Sequence, residues 1–132
     1  MIPGATISPR GRILVADDEP HIRRILATIL EKAGYSVCQA CDGADALAVL
    51  EAPESPDFFI LDLMMPGASG MDVLQRIRSH PRHQRTPVII LTAKGQDADR
   101  DAAMEAGADD FVTKPFSPKK LLSRIQEILS AR

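Results

Sequence analysis

The chain carries little net charge of either sign: 18 acidic side chains face 16 basic ones among its 132 residues, a formal charge of -2. That balance excludes a protein whose whole surface is a nucleic-acid footprint, which would be strongly basic. Long apolar runs are also missing. The longest, such as Phe58-Phe59-Ile60-Leu61, fall far short of the roughly 20 residues that span a bilayer. Met1 to Arg12 holds no apolar stretch of the kind a secretory signal needs. Cysteine is scarce, with two residues, yet a chain of this length buries enough surface to hold a core without a disulfide or a metal. Aromatics make up only 4% of the chain, and there is no internal repeat or low-complexity tract. What is present, 45% hydrophobic and 26% charged residues, predicts a soluble, cytosolic, single-domain protein. Function has to be sought in the placement of a few charges.

Four short apolar runs stand out: Ile13-Leu14-Val15-Ala16, Phe58 to Leu61, Val88-Ile89-Ile90-Leu91, and Phe111-Val112-Thr113. They are continuous rather than alternating, as strands are when both faces of a parallel sheet are covered. Tyr35 to Ala40 is a weaker, more polar fifth run and a candidate edge strand.

Helical patterns lie between them. Ile22, Ile25, Leu26, Ile29 and Leu30 form one apolar face at helical spacing, with Pro20 in the first turn and Gly34 at the end. Leu121, Leu122, Ile125, Ile128 and Leu129 repeat that spacing after Ser117-Pro118, an N-cap followed by a first-turn proline. Shorter helices are predicted at 44–51, 71–78 and 98–106. The order is strand then helix, five times, which right-handed crossovers turn into a parallel sheet covered on both faces. Met1 to Gly11, with two prolines, two glycines and no periodicity, is expected to be disordered.

In an open parallel sheet, ligands bind beyond the carboxyl ends of the strands. The first strand ends in Asp17-Asp18, the third in Asp62, the fourth in Thr92 and the fifth in Lys114. A polar residue after one strand is ordinary. Three acids delivered to one edge are not, because like charges a few ångströms apart disfavour each other unless a cation joins them. Carboxylate and backbone oxygens suit Mg²⁺. Three carboxylates and one ammonium sum to a formal charge of -2, which one Mg²⁺ neutralises. The metal, Lys114 and the Thr92 hydroxyl could then engage a phosphoryl group arriving at a carboxylate nucleophile.

This arrangement resembles the receiver domain of bacterial two-component response regulators, the CheY-like domain, over about residues 12 to 130. The resemblance rests on Ile13-Leu14-Val15-Ala16-Asp17-Asp18-Glu19-Pro20, Asp62-Leu63-Met64-Met65-Pro66-Gly67, Leu91-Thr92-Ala93, and Ala108-Asp109-Asp110-Phe111-Val112-Thr113-Lys114-Pro115-Phe116. It implies a flavodoxin-like α/β fold, a doubly wound (βα)5 unit with a five-stranded parallel sheet in order 2-1-3-4-5, spanning residues 12–132. It implies that Asp62 is the phosphoacceptor. Asp18, Asp62 and the Met64 carbonyl would bind Mg²⁺, with Asp17 acting through a water. Thr92 would hydrogen-bond the phosphoryl group and Lys114 would pair with it. Thr92 and Phe111 would move inward as the switch, reshaping the face made by the fourth helix, fifth strand and fifth helix. The Lys114-Pro115 bond is cis in the family.

Partners also follow from the resemblance. The donor would be a sensor histidine kinase or a histidine phosphotransfer protein, and the output an effector domain or a homodimer through the switch face, with no direct nucleic-acid or membrane contact. Such a domain catalyses only its own phosphorylation and dephosphorylation, so it is a switch rather than an enzyme. Its output is either that of a DNA-binding regulator's receiver or that of a single-domain regulator. Met64, Ala93 and Lys94 flank the site. A bulky Met64 beside a cationic Lys94 predicts a long-lived phosphorylated state.

Other features are weaker. Cys38 and Cys41 form a C-x-x-C, but residues three apart on a strand point to opposite faces and no second pair completes a zinc site. His80, Arg82, His83 and Arg85 are expected in a solvated loop. His21 is expected to point to solvent, and Met64 and Met65 to pack within their loop. A haloacid-dehalogenase-type enzyme would need a second acid where Met64 stands. A degenerate receiver typically lacks the acceptor or the lysine, and both are here. A nucleotide-binding fold would need a glycine-rich loop after the first strand, where Asp17-Asp18-Glu19 stands instead.

Overall fold

The computed structural model describes residues 10–93 and 98–131. Strands and helices alternate as β1 (Arg12–Ala16), α1 (Pro20–Lys32), β2 (Ser36–Ala40), α2 (Gly43–Leu50), β3 (Phe58–Asp62), α3 (Gly70–Ser79), β4 (Val88–Thr92), α4 (Ala98–Glu105), β5 (Asp110–Thr113) and α5 (Pro118–Ser130). All strands are parallel, in the order β2-β1-β3-β4-β5. This is the flavodoxin-like topology that the motif order implied.

The continuous apolar runs are explained by two cores. Successive strand residues face opposite sides, so Leu14, Phe59, Leu61 and Ile90 pack with Ala46, Leu74, Ile77 and Ala103 of α2, α3 and α4. Their neighbours Ile13, Val15, Phe58, Ile60 and Ile89 pack with Leu26, Leu30, Leu121 and Ile125 of α1 and α5. Every residue of β3 and β4 is buried, and each such aliphatic side chain contributes about 1.5–3 kcal/mol. Truncating Phe59 or Ile60 would open a cavity on one face of the sheet or the other.

Helix ends follow local chemistry. Pro118 opens α5 behind Ser117, whose hydroxyl accepts the Lys120 N–H at 3.3 Å. Ser69 and Asp72 form a reciprocal capping box at the start of α3. Gly34 and Gly107 follow α1 and α4 with φ of 100° and 105°, a conformation that favours glycine. The Lys114–Pro115 peptide is cis.

Several expectations need correction. Ile25 is 43% exposed whereas Ala27 is buried, because the face of α1 turned to the sheet is rotated from the one the apolar spacing suggested. His83 is not solvated: it is 3% exposed, with its ring edge-on to Phe59 and Nδ1 2.9 Å from the Thr86 hydroxyl. Met65 packs into the core, whereas Met64 points outward, 60% exposed. β2 and β5 are the two edge strands, as the order 2-1-3-4-5 implied. Cys38 is partly buried against the first core and Cys41 is exposed, and neither forms a disulfide. Of the expected N-terminal extension, residues 1–9 lie outside the described residues. Gly11 is tied in, its carbonyl accepting the Ser36 N–H at 2.9 Å, and Arg10 lies over the Tyr35 ring.

Candidate functional site

The carboxyl ends of β1, β3, β4 and β5 are held in line by hydrogen bonds that continue past the strands. The Leu63 N–H donates to the Leu91 carbonyl at 2.7 Å and the Lys114 N–H to the Thr92 carbonyl at 2.7 Å. On the β1 side, the Asp17 N–H donates to the Ala40 carbonyl at 3.1 Å. Asp17, Asp62 and Thr92 are all buried, whereas Asp18 is exposed. Burial follows from position, since each of the three continues a strand whose neighbours are packed on both faces.

Lys114 joins the acids. Its ammonium lies 2.8 Å from Asp17 Oδ2, 3.4 Å from Glu19 Oε1 and 3.5 Å from Asp62 Oδ2. Burial opposes that charge, but the hydrogen bond and charge of Asp17, with the charges of Asp62 and Glu19, outweigh it and raise the lysine pKa. Asp62 behaves oppositely. Burial and the Asp17 charge push its carboxyl up to about 6, against the opposing pull of Lys114 and of the Met64 N–H, which lies 3.4 Å from Oδ1. A buried carboxyl held so far above its ordinary value, beside a lysine at a strand end, marks a candidate functional site.

The site departs from expectation in its charge inventory. Glu19 adds a fourth carboxylate, and the Arg23 guanidinium, donating to the Asp17 carbonyl, adds a second cation. Four acids and two cations leave the formal charge at -2. Asp17, Asp18 and Glu19 each offer a carboxylate oxygen within 4.8 Å of the others, while Asp62 is linked to the group through Lys114. Asp17 Oδ2 is buried with no hydrogen bond in good alignment, only the nearby ammonium. This all-oxygen, net-negative donor set fits a hard divalent cation.

Thr92 is 1% exposed, with its hydroxyl 3.4 Å from the Ala93 carbonyl oxygen. Ala93 is exposed, and Lys94 lies outside the described residues. Phe111 is 6% exposed within the first core. His21 is exposed and lies 3.4 Å from the second Glu19 oxygen.

The family model for the response regulator receiver domain matches residues 13–126. The chain belongs to the response regulator receiver family. It is a signalling switch of that family, and it is similar to several transcriptional regulators. It is 48% identical over 120 residues to a probable transcriptional regulator, ycf27, of Cyanophora paradoxa, a match covering 91% of this chain and 48% of the relative. The transcriptional regulatory protein ResD of Bacillus subtilis is 45% identical over 119 residues, covering 89% and 48%. This receiver chain therefore spans about half the length of the curated relatives it matches. Among solved structures, a putative response regulator from Chloroflexus aurantiacus superposes with a TM-score of 0.85 at 36% identity, covering 91% and 98%. The Vibrio cholerae chemotaxis response regulator CheY4 superposes at 0.81 with 31% identity, covering 93% and 99%.

Two kinds of residue around the receiver site had no role in the sequence reading. Glu19 was only one letter of the acidic run, and its proximity to Lys114 depends on β1 and β5 closing on each other across β3 and β4. Gly70 lies just before the helix predicted at 71–78. A Cβ there would lie 2.5 Å from the Asp62 carbonyl oxygen and 2.9 Å from Leu63 Cα, so α3 presses on the backbone that carries Asp62. The serine before it, as an N-cap, was the available signal.

Proposed function

We propose that Asp62 accepts a phosphoryl group in a Mg²⁺-dependent reaction, and that Thr92 and Lys114 stabilise the product. The supporting observation is the position of Asp62: buried at the end of the central strand, with a carboxyl pushed up to about 6 and a lysine ammonium 3.5 Å away. An Asp62 oxygen attacks phosphorus in a phosphohistidine, forming a P–O bond as the P–N bond breaks and the imidazole leaves with a proton. Lys114 and the Thr92 hydroxyl then take phosphoryl oxygens. Asp17, Asp18, Asp62 and the Met64 carbonyl would hold the metal, with Asp17 acting through a water. Mg²⁺ supplies charge neutralisation and polarises the phosphoryl oxygens.

The donor is a sensor histidine kinase or a histidine phosphotransfer protein, and the domain catalyses its own phosphorylation and dephosphorylation. Relatives named as transcriptional regulators, each about twice as long as this chain, support the reading that it is the receiver of a DNA-binding regulator. Output then passes through the surface of α4, β5 and α5, to an effector domain or a homodimer. The exposed Met64 at the rim, two residues after Asp62, favours slow loss of the phosphoryl group. A dephosphorylation half-time of seconds would contradict that.

Acetyl phosphate or beryllofluoride with Mg²⁺ should modify the wild type and leave Asp62→Ala untouched. Equal labelling of both would falsify the acceptor assignment.

A further inference from the structure

Glu19 occupies the N-cap of α1, yet its carboxylate makes no capping hydrogen bond. Its backbone N–H donates to Asp17 Oδ1 at 2.9 Å, while its side chain divides between Lys114, 3.4 Å from Oε1, and His21, 3.4 Å from Oε2. An N-cap side chain ordinarily satisfies the first turn of its own helix. This one is committed to the lysine instead.

An ammonium has three donors, and three carboxylates surround this one. The Asp17 contact is the shortest, and its oxygen is buried with nothing but the ammonium beside it, so that arm is the least able to let go. Asp62 is the farthest of the three, at 3.5 Å. Glu19 differs from both. Its side chain is 47% exposed, and water or His21 can take its charge once Lys114 leaves. Held closest by Asp17, the ammonium is shared about equally between Glu19 and the carboxylate that has to receive the phosphoryl group.

Resting on the reading that Asp62 is the acceptor, we infer that Glu19 is a positioning residue that competes with the incoming phosphoryl group for Lys114. It is the arm that yields as the phosphodonor binds. Its negative charge at the half-exposed rim also repels an anionic phosphodonor, so both effects act before the chemical step. They weaken donor engagement more than they alter the reaction of the bound donor.

The test compares wild type, Glu19→Gln, Glu19→Asp and Asp62→Ala with acetyl phosphate at saturating Mg²⁺, alongside the NMR signal of the Lys114 ε-methylene in Mg²⁺-free protein. Glu19→Gln should lower KM for acetyl phosphate about two- to fivefold, the range that a half-exposed ion pair commands, with a smaller change in kcat than in KM. Its Lys114 signal should move without metal or donor present. Glu19→Asp, which keeps the charge, should stay near wild type. An unchanged or higher KM in Glu19→Gln, with the wild type still labelled at Asp62, overturns the role of Glu19 alone. Labelling that survives Asp62→Ala overturns the acceptor reading instead.

Discussion

Lys114 Nζ and Asp17 Oδ2 lie 2.8 Å apart although they leave strands β5 and β1, which have β3 and β4 between them. The pair crosses most of the sheet edge, so the ammonium passes over the pocket that holds Asp62. Its cost and its use have the same origin: acids crowded around one cation are a strained resting arrangement and a ready cation site.

Relieving that crowding should stabilise the protein. Burial and Asp17 hold the Asp62 carboxyl at about 6, above its ordinary value of 3.8, so the folded state disfavours the ionised form. Asp62→Asn should therefore raise the unfolding free energy by about 1–2 kcal/mol at pH 8 without Mg²⁺, a figure reduced for partial solvent screening. Urea denaturation with and without Mg²⁺ checks it; a loss of stability would show that the Lys114 pairing outweighs the repulsion.

Acidification should act through His83. Burial, with the nearby His80 and Arg82 charges, holds its pKa below the ordinary 6.5. The unfolded chain therefore binds a proton at a pH where the folded protein does not. The contribution of His83 is fully present above about pH 6.5 and is lost as pH falls through the lower, folded value. Unfolding midpoints between pH 7.5 and about pH 5 should drop more steeply for the wild type than for His83→Gln. Parallel slopes would remove His83 as the cause.

Gly70 should tolerate no side chain. The added Cβ of Gly70→Ala meets backbone atoms of Asp62 and Leu63 rather than a flexible side chain, so the strand end or α3 has to shift. The expected cost is about 1–3 kcal/mol, together with slower labelling of Asp62. A variant as stable and as quickly labelled as wild type would show that the interface has slack. Gly67→Ala is a useful contrast: nothing lies near its Cβ, and only its φ of 75° opposes the change, typically at about 1 kcal/mol.

The thiol of Cys41 should be slow to react. It donates to Asp45 Oδ2 at 2.9 Å, and that hydrogen bond, with the acidic surroundings, raises its pKa above the ordinary thiol value. Iodoacetamide at pH 8 should alkylate Cys41 several-fold faster in Asp45→Asn than in wild type, because only the thiolate reacts readily. Mass spectrometry resolves Cys41 from the partly buried Cys38, and equal rates at Cys41 would mean the pairing has no chemical effect.

The fold was legible because parallel strands buried on both faces leave unbroken apolar runs, as in Phe58 to Leu61 and Val88 to Leu91. The strand-end residues Asp17, Asp62, Thr92 and Lys114 could be named for the same reason, since each stands where a run stops. Ile25 misled because helical spacing shows which residues share a face but not how that face is turned toward the sheet. His83 misled because a loop of polar letters does not reveal that one of its rings has turned inward onto Phe59.

The sequence by itself determined the alternation of elements, the parallel sheet and the four strands that supply the site, because these depend on local periodicity and on where apolar runs end. Only the tertiary structure decided that Glu19 shares Lys114 with Asp17 and Asp62, that Gly70 presses on the backbone of Asp62, and that Phe111 lies inward. Those relationships are distances between residues remote in the chain, set by strand order and by the directions their side chains take across the sheet.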